Sequence, residues 1–230
     1  IIGVTEFDGE RFGQWIPVLT EDTHLSYPFV FQQGNEVYMI PENRYGLKLA
    51  VYRAVEFPYT WERCKVIRED IEWVDTTLIP EGDGYLGFTE SMRQPMTDYC
   101  LRLDREFTIT RCDRLPQGGD DRHRCGGPMF RYGGKLVRVT QDCVEDYGQA
   151  LFFRICDPDT LEELQTLRVK PQQLTFDRKI FLQGMHTYSA VGDFEVIDIK
   201  TRRFVPRNFY YRMKGKLHWT LTKYQFKSGR

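Results

Sequence analysis

A β-hairpin pattern that recurs about every fifty residues constrains this chain more than any other feature. Residues 28–42 (PFVFQQGNEVYMIPE) align with residues 76–90 (TTLIPEGDGYLGFTE) at an offset of 48 residues, and each segment has two short apolar runs around a glycine-containing turn. Segments of the same kind follow at 127–141 and 186–200. The first three hairpins are each followed by two more β-rich runs, so the pattern predicts repeats of four strands.

Four antiparallel strands per repeat are typical of a propeller blade, because each blade can bury its two faces only against its neighbours. We therefore predict an all-β protein that folds as one five-bladed β-propeller domain over residues 1–230. The expected repeats lie near 24–67, 73–114, 123–169 and 184–204, with a closing blade built from 1–18 and 209–226. An irregular β-sandwich with evenly spaced hairpins is the alternative.

Charge and composition exclude several classes of protein. The chain has 32 Lys+Arg against 33 Asp+Glu, a balance that argues against a general nucleic-acid surface. No apolar stretch approaches the ~20 residues of a membrane span, so no membrane insertion is expected. The six cysteines form no CxxC pair and are too sparse for a disulfide framework, which favours reduced thiols and a cytoplasmic location. Neither a phosphate-binding glycine motif nor a local metal-ligand spacing occurs, so we expect no cofactor and no metal.

Several ordered strings carry a resemblance to a known family. They include HLSYPFVF at 24–31, YMIPE at 38–42, DTTL at 75–78, QDC at 141–143 and HTY at 186–188. Together they resemble the N-terminal propeller domain of glucosamine inositolphosphorylceramide transferases; similar domains accompany bacterial formyltransferase-like and polysaccharide-biosynthesis proteins. The resemblance implies a propeller akin to those of glycoside-acting enzymes, a glycan or sugar-phosphate substrate, and a covalently linked transferase domain outside this chain. It does not fix a reaction.

The sequence departs from propeller glycosidases at one important position. Those enzymes typically place an Asp immediately before the Pro of the first inner strand, whereas Tyr27 precedes Pro28 here. An ordinary hydrolytic set of carboxylates is therefore in doubt.

Equivalent positions of successive repeats should meet at one end of the propeller channel, where the inner strands converge. This places Tyr27 and Asp75 together, with His24, Arg124 and His186 nearby. Asp75 suits acid–base chemistry, although an Asp before a strand also caps turns. His186 suits proton transfer near neutral pH, and its alternative role is a hydrogen bond to a neighbouring blade.

The ends of the second strands carry further polar residues. Glu42 and Asp142 are candidates for paired carboxylates of glycosyl chemistry, and Gln141 for substrate binding. Strand alternation puts Arg138 and Asp142 on one face, where Arg138 suits a substrate carboxylate or phosphate. Salt bridges between such residues are the structural alternative.

These arguments give one predicted site and three possible functions. The predicted catalytic residues are Asp75, Asp142, His186 and Glu42, and the predicted substrate-binding residues are His24, Tyr27, Arg124, Arg138, Gln141 and Tyr188. The domain is a carbohydrate-active enzyme that transfers or cleaves a glycosyl group in glycan assembly, a non-catalytic glycan-recognition module of a larger transferase, or a protein-interaction propeller. Fold alone does not choose among these functions.

Overall fold

The computed structural model describes residues 1–115, 122–174 and 182–201. The predicted all-β class is confirmed: apart from two 3-10 turns, Arg44–Gly46 and Pro171–Gln173, the regular elements in these ranges are strands. No helix in the described ranges has the length and apolar character needed to cross a membrane. All six cysteines are free thiols.

Three four-stranded antiparallel sheets make up most of the structure, and in each sheet the strands lie side by side in chain order. The first sheet contains β3 (Ser26–Gln33), β4 (Glu36–Glu42), β5 (Lys48–Glu56) and β6 (Thr60–Glu69). The second contains β7 (Trp73–Glu81), β8 (Gly84–Ser91), β9 (Thr97–Leu103) and β10 (Ile109–Arg114). The third contains β11 (Phe130–Tyr132), β12 (Lys135–Asp142), β13 (Ala150–Cys156) and β14 (Glu163–Val169).

Three two-stranded ladders complete the described structure. They pair β1 (Ile2–Val4) with β2 (Ile16–Leu19), β15 (Leu182–Gly184) with β18 (Lys200–Thr201), and β16 (Tyr188–Val191) with β17 (Phe194–Ile197). Residues 202–204 of the fourth repeat and 209–226 of the closing blade lie outside the described residues. The five-bladed closure therefore stays a prediction.

The hairpin turns form where the sequence supplies glycine. Gly34 and Gly82 occupy equivalent positions between the first two strands of their sheets, with φ of 60° and 55°. A side chain at either position would meet open space, so backbone conformation and not crowding is the reason for glycine. This turn chemistry fixes the hairpin register in both repeats.

Apolar side chains pack the sheets face to face. The first and second sheets share a core that includes Phe29, Val51, Leu78, Leu101 and Phe107. The second and third share another that includes Leu86, Phe88, Met129, Leu136 and Cys156. Val139 and Leu151 continue the packing from the third sheet to Met185 at the fourth hairpin. Successive repeats thus bury each other's faces, as the four-strand pattern requires.

Burial is much higher in the second strands of the second and third sheets than in the fourth strands. β8 and β12 are buried along almost their whole length, whereas the fourth strands β6, β10 and β14 are mostly exposed and rich in charged residues. The side chains of the fourth strands are therefore not shielded from water.

Two matched interruptions mark the starts of the inner strands β3 and β7. The strand register shifts between Ser26 and Phe29, and again between Val74 and Thr77. Within these bulges Tyr27 has φ of 43° and Asp75 has φ of 49°, a left-handed conformation that non-glycine residues rarely adopt. Such strained positions cluster at functional sites because the backbone is held there to aim a side chain.

Candidate functional site

Asp75 is the centre of a polar cluster where the three sheets meet. Only 2% of it is exposed. Its Oδ2 atom accepts hydrogen bonds from Arg124 Nε at 2.5 Å and from Gln141 Nε2 at 2.9 Å. The bulge in β7 therefore turns a carboxylate of the second sheet onto donors that belong to the third repeat.

Glu42, at the end of β4, brings a second carboxyl group to the cluster. Arg124 Nη2 lies 3.4 Å from Glu42 Oε2. Burial raises the pKa of Glu42 to about 8, assisted by a hydrogen bond and charge repulsion from Asp75 and opposed by Arg124. At neutral pH Glu42 is therefore a carboxylic acid beside the Asp75 carboxyl group, so the pair offers both a hydrogen-bond donor and acceptors.

Arg124 links the two carboxyl groups. Burial alone would lower its pKa, but Asp75 and Glu42 outweigh burial and raise the pKa above its ordinary value. Its backbone is held against β12, since Gln141 N donates to Arg124 O at 2.8 Å. The guanidinium carbon lies 5.8 Å from the ring centroid of Tyr147, a side chain that is 51% exposed. The cluster therefore has an aromatic wall that faces solvent.

Tyr27 also lies close to Asp75. Its hydroxyl shares a hydrogen bond of 2.8 Å with Thr77 Oγ1. Burial raises the pKa of this hydroxyl well above its ordinary value, and the charges of Cys125 and Asp75 add to the effect. Tyr27 is thus a neutral hydrogen-bonding group next to the carboxylate.

A histidine and an aspartate flank the aromatic wall. The Nδ1 atom of His186 contacts Asp198 Oδ2, and the two ring centroids of His186 and Tyr147 are 5.1 Å apart. Asp198 Oδ1 also accepts from the backbone N of His186 at 2.8 Å and of Thr187 at 2.6 Å. Burial alone would raise the pKa of Asp198, but these hydrogen bonds prevail and lower it to about 2. An ionised Asp198 fixes the orientation of the imidazole.

Comparison with known proteins shows the family. A sequence profile described as glucosamine inositolphosphorylceramide transferase 1, N-terminal, matches residues 7–179, which is well over half of the chain. The chain belongs to this family. The resemblance predicted from the ordered strings is thereby confirmed.

Named relatives of the family occur in plants. Glucosamine inositolphosphorylceramide transferase 1 of Arabidopsis thaliana is 31% identical over 211 residues, covering 85% of this chain and 27% of that protein. The protein of the same name from Oryza sativa subsp. indica is 32% identical over 165 residues, covering 66% of this chain and 21% of that protein. The chain thus spans about a quarter of the length of each of these relatives.

Four of the predicted site residues meet in one cluster, namely Glu42, Asp75, Arg124 and Gln141. Tyr27 and His186 lie at its borders. The structure places the other predicted residues, Asp142, Arg138, His24 and Tyr188, elsewhere.

Asp142 belongs to an ion pair within the third sheet. Its Oδ2 atom accepts from Arg168 Nε at 2.7 Å, and its Oδ1 atom accepts from Gln149 Nε2 at 2.8 Å. Burial acts to raise the pKa of Asp142, but the hydrogen bonds from Gln149 and Arg168 lower it overall. Asp142 lines a small cavity of about 280 Å³ together with Arg168.

The remaining three predicted residues have separate surroundings. Arg138 lies over the Phe88 ring in a cavity between the second and third sheets. His24 is exposed, with its ring centroid 6.3 Å from that of Tyr45. The Tyr188 hydroxyl donates to Glu195 at 2.8 Å, while its backbone N donates to Gly126 O. Tyr188 therefore joins the third repeat to the fourth hairpin.

The sequence analysis did not predict two residues of the site, Tyr147 and Asp198. Tyr147 lies in a loop without periodicity, and Asp198 comes 12 residues after the histidine that it orients. A local signal exists only for Tyr147, which precedes Gly148 with φ of 62°. A side chain at Gly148 would come within 2.6 Å of His186 Cβ, so glycine permits the close approach of the two loops. Within the described ranges no group of three or more His, Cys, Asp or Glu side chains is arranged to hold a metal ion.

Proposed function

We propose that this chain is the glycan-recognition domain of a sugar-transferring protein and that it binds a sugar at the Glu42–Asp75–Arg124 cluster. The observation that carries the proposal is the combination of a neutral acid, a carboxylate and a guanidinium at one point with the half-exposed ring of Tyr147. Such a set supplies donors, acceptors and an apolar face, which is what a hydroxyl-rich ring requires.

The proposal includes the closed fold. The three sheets are consecutive blades of a five-bladed propeller, and the cluster lies at the channel mouth where their inner strands converge. Support comes from the chain-order strand arrangement of each sheet and from the shared cores between consecutive sheets.

Recognition fits the carboxyl geometry better than glycoside cleavage does. Retaining and inverting glycosidases hold their two carboxyl groups roughly 5–5.5 Å and 6.5–9.5 Å apart, so that the bond to be broken lies between them. Here the Glu42 and Asp75 carboxyl groups interact directly through a hydrogen bond, and both contact Arg124. That arrangement leaves no space between the two carboxyl groups for a scissile bond.

A catalytic role is the second candidate because His186 and Asp198 form a pair beside the cluster. His186 is oriented by Asp198 and lies beside Tyr147, which is the arrangement of a histidine that accepts a proton from a sugar hydroxyl. In this version the domain contributes a general base to glycosyl transfer.

Binding measurements on the parent chain test the proposal. The relatives are named for glucosamine and inositolphosphorylceramide, so glucosamine, N-acetylglucosamine and myo-inositol are the first probes. Isothermal titration calorimetry and saturation-transfer NMR should detect at least one of them. Tyr147→Ala should weaken that binding roughly tenfold, because it removes the stacking face.

Tyr132→Ala is the matched control. Tyr132 is 76% exposed and lies at the hairpin turn of the third sheet, away from the cluster. It should leave binding unchanged. Equal losses in both variants, or a parent chain that binds none of the probes at millimolar concentration, would contradict sugar recognition at this cluster. Product formed from a sugar-nucleotide donor by the parent, and lost in His186→Ala, would favour the catalytic version instead.

A further inference from the structure

A cavity lined by Arg138 lies between the second and third sheets, away from the Glu42–Asp75–Arg124 cluster. Its volume is about 630 Å³, within the range of roughly 300–1,000 Å³ that holds small organic ligands. Arg138 of β12 forms part of its wall, together with Phe88 of β8 and Arg111 of β10.

Arg138 is buried and forms no ion pair among the described residues. Only 8% of the residue is exposed. Its guanidinium carbon lies 3.7 Å from the centroid of the Phe88 ring, and within residues 1–115, 122–174 and 182–201 its Nε atom has no hydrogen-bond partner. A buried charge normally requires a paired charge as well as hydrogen bonds, and a ring face supplies neither.

The neighbouring arginines show what Arg138 lacks. Arg111 Nε lies 2.6 Å from Asp113 Oδ2, and Arg102 pairs with Glu81. Arg154, on the strand next to Arg138, lies 2.6 Å from Glu163 Oε2. None of the ion pairs formed among the described residues includes Arg138.

Four carboxylates also line the cavity, and two of them are already paired, Asp113 with Arg111 and Glu163 with Arg154. Cys100 and Cys156 line the cavity, and burial raises the pKa of both thiols, that of Cys100 to about 11, so both are uncharged at neutral pH. The acidic residues without a described cation partner, Asp159 and Glu162, are exposed. At the rim of the cavity, these two carboxylates are suited to accept hydrogen bonds from hydroxyl groups of a ligand. The anionic group of the ligand would lie deeper in the cavity, next to Arg138.

From these observations we infer a second ligand site, in which Arg138 binds the phosphate group of a phosphorylated sugar. The guanidinium packs over the Phe88 ring and forms no described ion pair, so it can donate paired hydrogen bonds to phosphate oxygens, the geometry that arginine forms best. The cavity is larger than a phosphate ion, and its exposed carboxylates face the space that the hydroxyl groups would occupy.

The first test compares three probes with the parent chain: glucose 6-phosphate, inorganic phosphate and glucose. Titration calorimetry and ³¹P NMR should show binding of both phosphate compounds, with glucose 6-phosphate the tighter, and no binding of glucose at this cavity. Equal affinity for the two phosphate compounds would overturn the assignment to a phosphorylated sugar. Absence of phosphate binding at millimolar concentration would overturn the site altogether.

The second test assigns the binding to Arg138. Arg138→Met keeps the length and packing of the side chain and should weaken phosphate binding at least tenfold, whereas Arg138→Lys should retain part of it. The control is Arg53→Met, which removes an exposed arginine paired with Glu62 on the first sheet. Parent-like binding in Arg138→Met would refute the inference. If Arg138→Met fails to fold, Phe88→Leu, which removes the stacking surface, should weaken phosphate binding several-fold, and unchanged binding there would likewise refute it.

Discussion

Arg124, which is partly buried, and Arg138, which is buried, both lie between sheets of the same chain, yet their surroundings are opposite. Arg124 contacts two carboxyl groups that come from other repeats, Asp75 and Glu42. Arg138 lies on the ring of Phe88 and has no described carboxylate partner. One charge is satisfied by the protein itself, and the other is available to a ligand.

The difference between the two arginines indicates that one contributes to stability and the other to ligand binding. A buried ion pair is strongly destabilised when one partner is removed, because the other charge is then left uncompensated. A buried charge without a partner has the reverse property, since its removal relieves a cost. Arg124 should therefore be needed for stability and Arg138 for ligand binding.

The largest effect is expected for Arg124→Met. It removes the guanidinium that pairs with Asp75 and leaves this buried carboxyl group with the neutral partners Gln141 and Glu42, so the free energy of unfolding should fall by about 3–5 kcal/mol. Urea denaturation measures this. A loss below about 1 kcal/mol would show that the carboxyl groups do not depend on Arg124.

A pH profile of Glu42→Gln sharpens the description of the cluster. The pKa of Glu42 rises from its ordinary 4.5 to about 8 on folding, so its contribution to stability is fully present below pH 4.5 and is lost as pH rises through about 8. Relative to Glu42→Gln, the parent should lose roughly 2–4 kcal/mol of unfolding free energy over that window. Glu36→Gln, at the exposed turn of the same hairpin, is the control. Parallel profiles for parent and Glu42→Gln would mean that Glu42 carries no extra proton.

A smaller effect is expected for Asp142→Asn. Asp142 accepts hydrogen bonds from Arg168 and Gln149, and Arg168 is partly solvated, so unfolding free energy should fall by about 1 kcal/mol. Sugar binding should be unchanged in calorimetry. If Asp142→Asn abolished sugar binding with parent-like stability, Asp142 would belong to the binding site after all.

The smallest effect on stability is expected for Arg138→Met. In phosphate-free buffer the free energy of unfolding should change by no more than about 1 kcal/mol, in either direction, because no ion pair is broken. Thermal and urea denaturation of Arg138→Met, measured in parallel with Arg124→Met, provide the comparison. A loss as large as that of Arg124→Met would remove the contrast between the two arginines.

The repeat offset predicted more of the site than residue chemistry did. It aligned Tyr27 with Asp75, which share the same bulge and left-handed backbone, and Glu42 with Gln141, which both reach the cluster. Equivalent positions converge because each sheet begins from the same point of its repeat, so spacing alone indicates which side chains meet.

Other parts of the site depend on contacts that spacing does not encode. Alternation along β12 correctly put Arg138 and Asp142 on one face, but it does not reveal that Asp142 turns outward to Arg168 on the exposed strand of its own sheet. The environment of Arg138 depends on Phe88 from the preceding repeat. Tyr147 lies in a loop whose position is set by close packing at Gly148.

The exposed, charge-rich fourth strands also govern how this domain behaves among copies of itself. The outermost strand of a sheet presents backbone groups that can template pairing with another chain, and charged side chains there discourage it. β6, with the sequence TWERCKVIRE, carries five charged residues along such an edge. Replacing these charged residues with β-branched residues would leave the interior unchanged and make edge-to-edge aggregation more favourable.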